Sequence, residues 1–315
     1  ALVQRGAEGR QRRSGPAGSA AFAKTGRTGH RDRCAGLVKL RPRGVTYAFW
    51  ASVRSGHGAV PDQTESDMRY LDRDKLNSID AGIFQTQEPF PFTNPQGCLT
   101  DEAFATLAAT LPDVSQFQPF FGKQRKHGQA SHDRYVLEYV DGLDLPAPWQ
   151  EFVNELKSDI YRDFIRRLLG RGNFRFRFHW HYTPDGCVVS PHCDSSGKIG
   201  SQIFYMNTHE DWDPAWGGET VILDDHGRFE AESNPDFEDF DTAVPAETMD
   251  NRSLIFGRKN NSWHGVRPIN CPEDKLRKVF IVVFEDVNPR KMLWKRARRL
   301  LRGKPMITEK ERAMY

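Results

Sequence analysis

Phe174-Arg175-Phe176-Arg177-Phe178-His179-Trp180-His181-Tyr182 alternates without interruption, with aromatic residues at the even positions and Arg or His at the odd ones. Successive side chains of a strand point to opposite faces, so this run predicts a strand with one aromatic face for a core and one basic face opposite. Just upstream the period changes. From Trp149 to Leu169, the residues Trp149, Phe152, Val153, Leu156, Ile160, Phe164, Ile165 and Leu168 recur at helical spacing and predict one amphipathic helix. Arg166 and Arg167 suit the negative end of its dipole, and Gly170 supplies the stop.

Downstream, further strands are predicted at 187–192, 201–207, 220–223, 253–256 and 279–284, separated by clusters of Gly, Pro, Asn and Asp. Many short strands behind a helical lead-in point to a mostly β fold with flanking helices, a double-sheet jelly roll rather than alternating β-α units. A helix is predicted over 101–111 with Thr100 as its cap, and the acidic stretch from Phe229 to Asp241 reads as a solvated loop. The expected organisation is therefore a leader over 1–67, a mainly helical lead-in over 68–170, a β core over 171–288 and a basic C-terminal helix or tail over 289–315.

The chain holds 45 Lys and Arg against 42 Asp and Glu, a net charge of +3. Residues 1 to 67 carry 12 of those basic residues against 5 acids, which leaves 33 against 37 in the rest. The basic excess thus belongs to the two ends, and overall charge does not favour nucleic acid as a partner. No apolar run approaches the roughly 20 residues that cross a bilayer, so the body is expected to be soluble. The leader is rich in Gly, Arg, Ser and Ala without apolar periodicity and is expected to be disordered. The chain opens on Ala1 with no methionine before Met68, which makes Met68 the expected natural start. Five scattered cysteines without a C-x-x-C pair read as reduced thiols and place the protein in the cytoplasm.

His-x-Asp on a strand puts an imidazole and a carboxylate on the same side, where both can reach one ion. The pattern occurs three times: His30-Arg31-Asp32, His192-Cys193-Asp194 and His209-Glu210-Asp211. The first lies in the leader and the third in a polar turn, whereas the second ends a predicted strand and is the candidate metal pair. Cys193, between the two, is turned away by alternation and assigned to packing. His264 supplies a second imidazole 72 residues after His192. Thirteen residues further on, Arg277 opens the apolar strand Val279 to Phe284, where a buried fork-shaped cation could hold a carboxylate bidentately. Lys278 competes for that role, since alternation lets only one of the two point inward. The basic face of Arg175, Arg177, His179 and His181 could meet an anionic substrate or be ion-paired, and His127 and His132 lie in a polar loop without an identified partner.

In order along the chain, Tyr182-Thr183-Pro184-Asp185-Gly186, His192-x-Asp194, Ile203-Phe204-Tyr205-Met206-Asn207, Trp216-Gly217-Gly218-Glu219-Thr220, His264-Gly265-Val266 and Arg277 resemble the 2-oxoglutarate and iron(II)-dependent dioxygenases, on the prolyl 4-hydroxylase-like branch. The resemblance covers 174–287, about a third of the chain. It implies a double-stranded β-helix of the cupin-like kind, with His192, Asp194 and His264 holding Fe(II) and Arg277 anchoring 2-oxoglutarate. Tyr205 matches a position that helps hold the same carboxylate, and Tyr182 one near the cosubstrate, though either could be a structural aromatic. The implied cofactors are Fe(II), 2-oxoglutarate and O2, with ascorbate as a reductant. The implied reaction couples decarboxylation of 2-oxoglutarate to hydroxylation. An intact Asp194 favours hydroxylation over halogenation, because related halogenases lack a carboxylate there. The gap from His264 to Arg277 is longer than the family usually has.

Two other classes remain open at this level. One is a cupin-type metalloenzyme without 2-oxoglutarate, which would not need a buried Arg277. The other is a binding protein acting through its tail, where eight Lys or Arg between Arg290 and Lys304 interleave with Met292, Leu293, Trp294, Leu300 and Leu301 and suit a membrane surface or a protein partner. The primary substrate, a small molecule or a protein side chain, has no readable code in the sequence.

Overall fold

The alternating run forms β4 (Phe174–Thr183), one residue longer than the alternation predicts. Its even residues supply the core: Phe174, Phe178, Trp180 and Tyr182 are buried in one cluster with Trp149, Phe152 and Phe280. The computed structural model describes residues 68–123, 125 and 128–287. The leader with His30-Arg31-Asp32, the basic stretch over 290–304 and His127 lie outside the described residues. No helix among the described residues is long and apolar enough to cross a membrane.

Two antiparallel sheets make up the β core. With β1 (Phe92–Thr93), β2 (Gln118–Phe120), β3 (Arg134–Glu138), β6 (Lys198–Tyr205), β9 (Ser253–Gly257) and β11 (Arg277–Asp286), β4 builds a seven-stranded sheet of order β1-β9-β6-β11-β4-β3-β2. The second sheet has four strands in the order β5-β10-β7-β8, formed by β5 (Val189–His192), β7 (Thr220–Asp224), β8 (Thr242–Pro245) and β10 (His264–Val266). Non-sequential neighbours in both sheets give the expected jelly roll, a double-stranded β-helix. The lead-in is not only helical, because β1, β2 and β3 come from it and extend the larger sheet at both edges.

Helices cover one face of the larger sheet. The stretch from Trp149 to Leu169 is two helices rather than one, α1 (Ala147–Leu156) and α2 (Asp159–Leu169). The break falls at Ser158, a residue better suited to capping than to a helix interior. Its hydroxyl accepts the Tyr161 amide, which starts α2 afresh. The restart changes the buried phase: Tyr161 is fully buried and donates to Gln202 Oε1 at 2.8 Å, while Ile160 is only half-buried. Gly170 ends α2 in the left-handed conformation, as its position suggests. Trp149 packs edge-on against Trp180 and Phe280, with centroids 5.2 and 5.1 Å apart. Thr100 caps the helix Asp101–Ala109, two residues shorter than predicted.

The opposite face of the larger sheet looks toward the smaller one. Register fixes which residues line it: Arg277 pairs with Thr183, Val279 with both His181 and Tyr205, and Ile281 with His179. These residues share the inner face, and their neighbours Tyr182, Trp180, Phe204 and Phe280 share the outer, helix-covered face.

Candidate metal centre

His192 and His264 meet because their strands are paired. In the antiparallel pairing of β5 with β10, His264 stands directly opposite His192, and the ring centroids are 4.5 Å apart. Asp194 follows His192 in the turn into β6. One potential ligand atom from each of His192, Asp194 and His264 lies within 4.8 Å of the others, and all three residues are buried. The His209 copy of the pattern forms the expected polar turn. Asp211 Oδ1 accepts the Thr208 amide there, and His209 pairs with Asp250.

Protonation at the cluster suits a metal. Burial pushes the imidazoles of His192 and His264 below their usual range, so both are neutral near pH 7. Each Nδ1 donates to a backbone carbonyl, of Ser190 at 3.0 Å and Ser262 at 2.9 Å, which leaves Nε2 as the electron-pair donor. Burial acts to raise the Asp194 carboxyl. The Lys198 ammonium, through its charge and its hydrogen bond, opposes that and the group is held well below the carboxylate range. Lys198 Nζ donates to Asp194 Oδ1 at 2.7 Å, and Arg258 Nε donates to the Asp194 carbonyl at 3.1 Å. Cys193 turns away and donates to the Asn260 carbonyl. Two neutral imidazoles and one carboxylate are the donor set that suits a divalent iron with open positions.

Across from this cluster, Arg277 is buried on the inner face. Its Nε donates to the Gly218 carbonyl at 2.6 Å and its Nη2 to Thr220 Oγ1 at 3.0 Å, with the guanidinium over the Tyr205 ring. No carboxylate of a described residue forms an ion pair with it, so a buried, fork-shaped cation faces the chamber. Gly218 makes this possible. Its φ is +81°, and a Cβ there would meet Arg277 Cδ at 3.0 Å. Lys278 points to the other face and pairs with Asp211 at 2.7 Å, which leaves Arg277 as the inward cation. The Tyr205 hydroxyl donates to the same Thr220 Oγ1 at 2.8 Å.

Tyr182 corrects the expectation of a cosubstrate contact. It lies on the outer face of β4, stacks on Phe117 with centroids 4.2 Å apart and donates to the Pro112 carbonyl. The reason is period two: Thr183 and Arg277 pair on the inner face, so the residue before Thr183 must point outward. Arg175 and Arg177 are taken up by Glu285 and Glu138. They form a salt-bridged end of the inner face, while His179 and His181 line it further in.

Other residues at the site carried no signal in the sequence. His132 packs edge-on against His192 with centroids 4.7 Å apart, and Arg125 donates to its Nε2. Both sit in a polar loop whose path no local pattern reveals. The short aromatic and aliphatic run Tyr135-Val136-Leu137 between Arg134 and Glu138 was a readable sign of β3, the strand that brings Arg134 to the inner face.

Residues 177–284 match the family described as the 2OG-Fe(II) oxygenase superfamily. No curated protein matches the sequence. Among solved structures, a prolyl-4-hydroxylase from Pseudomonas putida is similar at 16% identity and a TM-score of 0.47, covering 65% of this chain and 98% of that one. A prolyl hydroxylase from Trichoplax adhaerens, solved with a hypoxia inducible factor oxygen degradation domain peptide, is similar at 14% identity and a TM-score of 0.49, covering 70% and 93%.

Proposed function

We propose that this chain, whose residues 177–284 belong to the 2OG-Fe(II) oxygenase superfamily, is a hydroxylase in which His192, Asp194 and His264 hold Fe(II) and Arg277 anchors 2-oxoglutarate. The observation that carries the reading is one juxtaposition. A buried His-Asp-His cluster lies on one sheet, and a buried guanidinium without a carboxylate partner among the described residues lies on the inner face of the other. A cupin-type enzyme without 2-oxoglutarate gives no account of burying Arg277 there, because an unmatched buried charge is costly.

Iron(II) with 2-oxoglutarate and O2 supplies an oxidative decarboxylation that drives hydroxylation of a C–H bond. The protein's share is placement. The Ser190 and Ser262 carbonyls fix both imidazoles as Nε2 donors, and Lys198 holds Asp194 ionised with one oxygen engaged. Arg277 presents its Nη1–Nη2 end to the distal carboxylate of the cosubstrate, and the Tyr205 hydroxyl beside it, which donates to Thr220 Oγ1 in this structure, turns to that carboxylate as a second donor. Ile222 and Val279, packed around Tyr205, and Phe256 against His264 give the chamber apolar walls that exclude water. The substrate is a small molecule or a protein side chain. A cytoplasmic setting belongs to the same reading, supported by the scattered cysteines.

The test is anaerobic titration with Fe(II) and 2-oxoglutarate, following the weak visible charge-transfer band of the chelate. The band is expected in the wild type and lost in both His264→Ala and Arg277→Ala. Iron binding without a band would end the 2-oxoglutarate assignment in favour of the cupin-type alternative.

A further inference from the structure

Two arginines near the metal centre, Arg125 and Arg134, form no ion pair with a carboxylate of the described residues. Arg134 lies one register step beyond the Tyr135–Tyr182 pair, next to Thr183, the partner of Arg277. Arg134, Thr183 and Arg277 therefore form a row across three strands, with roughly 10 Å between the outer Cα positions at the usual strand spacing. Arg134 Nη1 donates to the His132 carbonyl, while its Nε is enclosed and meets no acceptor. Arg125 donates to His132 Nε2, and its charge acts on Asp194 and on both metal-cluster histidines.

Neither arginine makes an ion pair with a described carboxylate: Asp194 acts on Arg125, and Asp133 on Arg134, only through space. Asp133, the adjacent acid, accepts from the Gly122 amide and the Ser131 hydroxyl instead. Burial, and then the positive charge of Arg125, bring Arg134 down to about 10. The far end of the same inner face is built differently, since Arg175 and Arg177 have Glu285 and Glu138 as partners there. Two mutually repelling guanidiniums and one orphaned donor oppose folding unless an anion answers them.

We propose that Arg134 and Arg125 form an anion subsite for the primary substrate, which is an acid, a carboxylate or a phosphate monoester, held by that group beside the iron. This rests on the oxygenase reading. Arg277 is then occupied by 2-oxoglutarate, and the row geometry keeps the two acids apart on one wall. Nη2 of Arg134, together with the second hydrogen of its Nη1, matches two oxygens of either anion, and Arg125 adds a second cation on the side of His192. His179 and His181 share the wall but are held neutral by burial, so they add polarity without charge. A neutral substrate would leave both guanidiniums desolvated and unpaired.

The experiment uses the full chain, anaerobic, saturated with Fe(II) and 2-oxoglutarate, titrated calorimetrically with inorganic phosphate in one arm and acetate in the other. At least one anion is expected to bind one-to-one in the wild type. Its affinity should fall tenfold or more in Arg134→Gln and in Arg125→Gln, and be partly kept in Arg134→Lys, with the charge-transfer band intact in all. The stronger arm identifies the class of acid. Arg125→Gln lies in a loop and serves if Arg134→Gln does not fold. No binding of either anion, or equal binding in the Gln variants, overturns the subsite, and so does loss of the band in Arg134→Gln, which would give Arg134 to the cosubstrate. A missing band in the wild type overturns the oxygenase reading instead, so the two failures are told apart.

Discussion

His192 and His264 share one hydrogen-bond arrangement: each ring donates through Nδ1 to the carbonyl two residues earlier, Ser190 and Ser262, although 72 residues separate them. The two neutral rings belong to a larger set. Burial is the first cause lowering His132, His179, His181, His192 and His264 below the ordinary value of 6.5. Below that value the unfolded chain binds protons that the folded chain refuses, so stability must fall as pH drops through it. Asp194, held low, keeps its contribution throughout this window and loses it only below 3.8. The Tm of the metal-free protein should be level above pH 7 and decline steadily from pH 6.5 to 5. A flat profile over that range would contradict the buried neutral set.

Lys198 should matter to the metal although it does not touch it. Removing its ammonium in Lys198→Met frees the Asp194 carboxylate to rotate and lets its pKa rise. Partners of this kind are worth about 10- to 100-fold in metal affinity. Competition with a chelator at several pH values should show that loss, with Lys198→Arg recovering part of it. Unchanged affinity would make the ion pair incidental.

Gly265 stands between His264 and the end of β10, packed against β5. A Cβ there would come within 2.7 Å of both the Val189 carbonyl oxygen and Phe237 Cζ. Gly265→Ala should push β10 from β5, costing about 1–3 kcal/mol in denaturant unfolding. It should also weaken iron binding, because His264 is the neighbouring residue. Normal metal affinity in the variant would show that the strand can yield without moving its ligand.

Tyr182 and Tyr205 should part company on removal of their hydroxyls. Tyr205→Phe should raise the 2-oxoglutarate concentration needed for the band by about tenfold, the scale of one hydrogen bond to a charged group. Tyr182→Phe should leave that concentration alone and cost about 1 kcal/mol of stability, since the Pro112 carbonyl loses its donor. The reverse pattern would return Tyr182 to the chamber.

Features written as period or order were legible in the sequence. The alternation of β4, the His192-x-Asp194 pair at a strand end and the Arg277 that opens β11 could all be read from residues 174–287. Between Arg277 and Lys278, register decides, and register exists only once β11 is laid between β4 and β6. Motif order set Tyr182 near the cosubstrate, whereas the alternation of 174–182 had already put it with the aromatics of the core face, where it lies. The break at Ser158 was written in a good capping residue but masked by the apolar spacing on both sides. Arg125 and His132 reach the site through loop geometry, which leaves no periodic trace.

Thr220 is a small residue with a large structural position. It sits on the four-stranded sheet, yet its single hydroxyl receives both Tyr205 and Arg277 from the seven-stranded one. The two iron-binding histidines belong to Thr220's own plate, and Arg277 and Tyr205, offered to an organic acid, belong to the plate it grips. The chain has thereby separated its inorganic from its organic chemistry and joined the halves by one rivet. Sequence drift on the larger plate can change which acid is admitted while the metal keeps its seat.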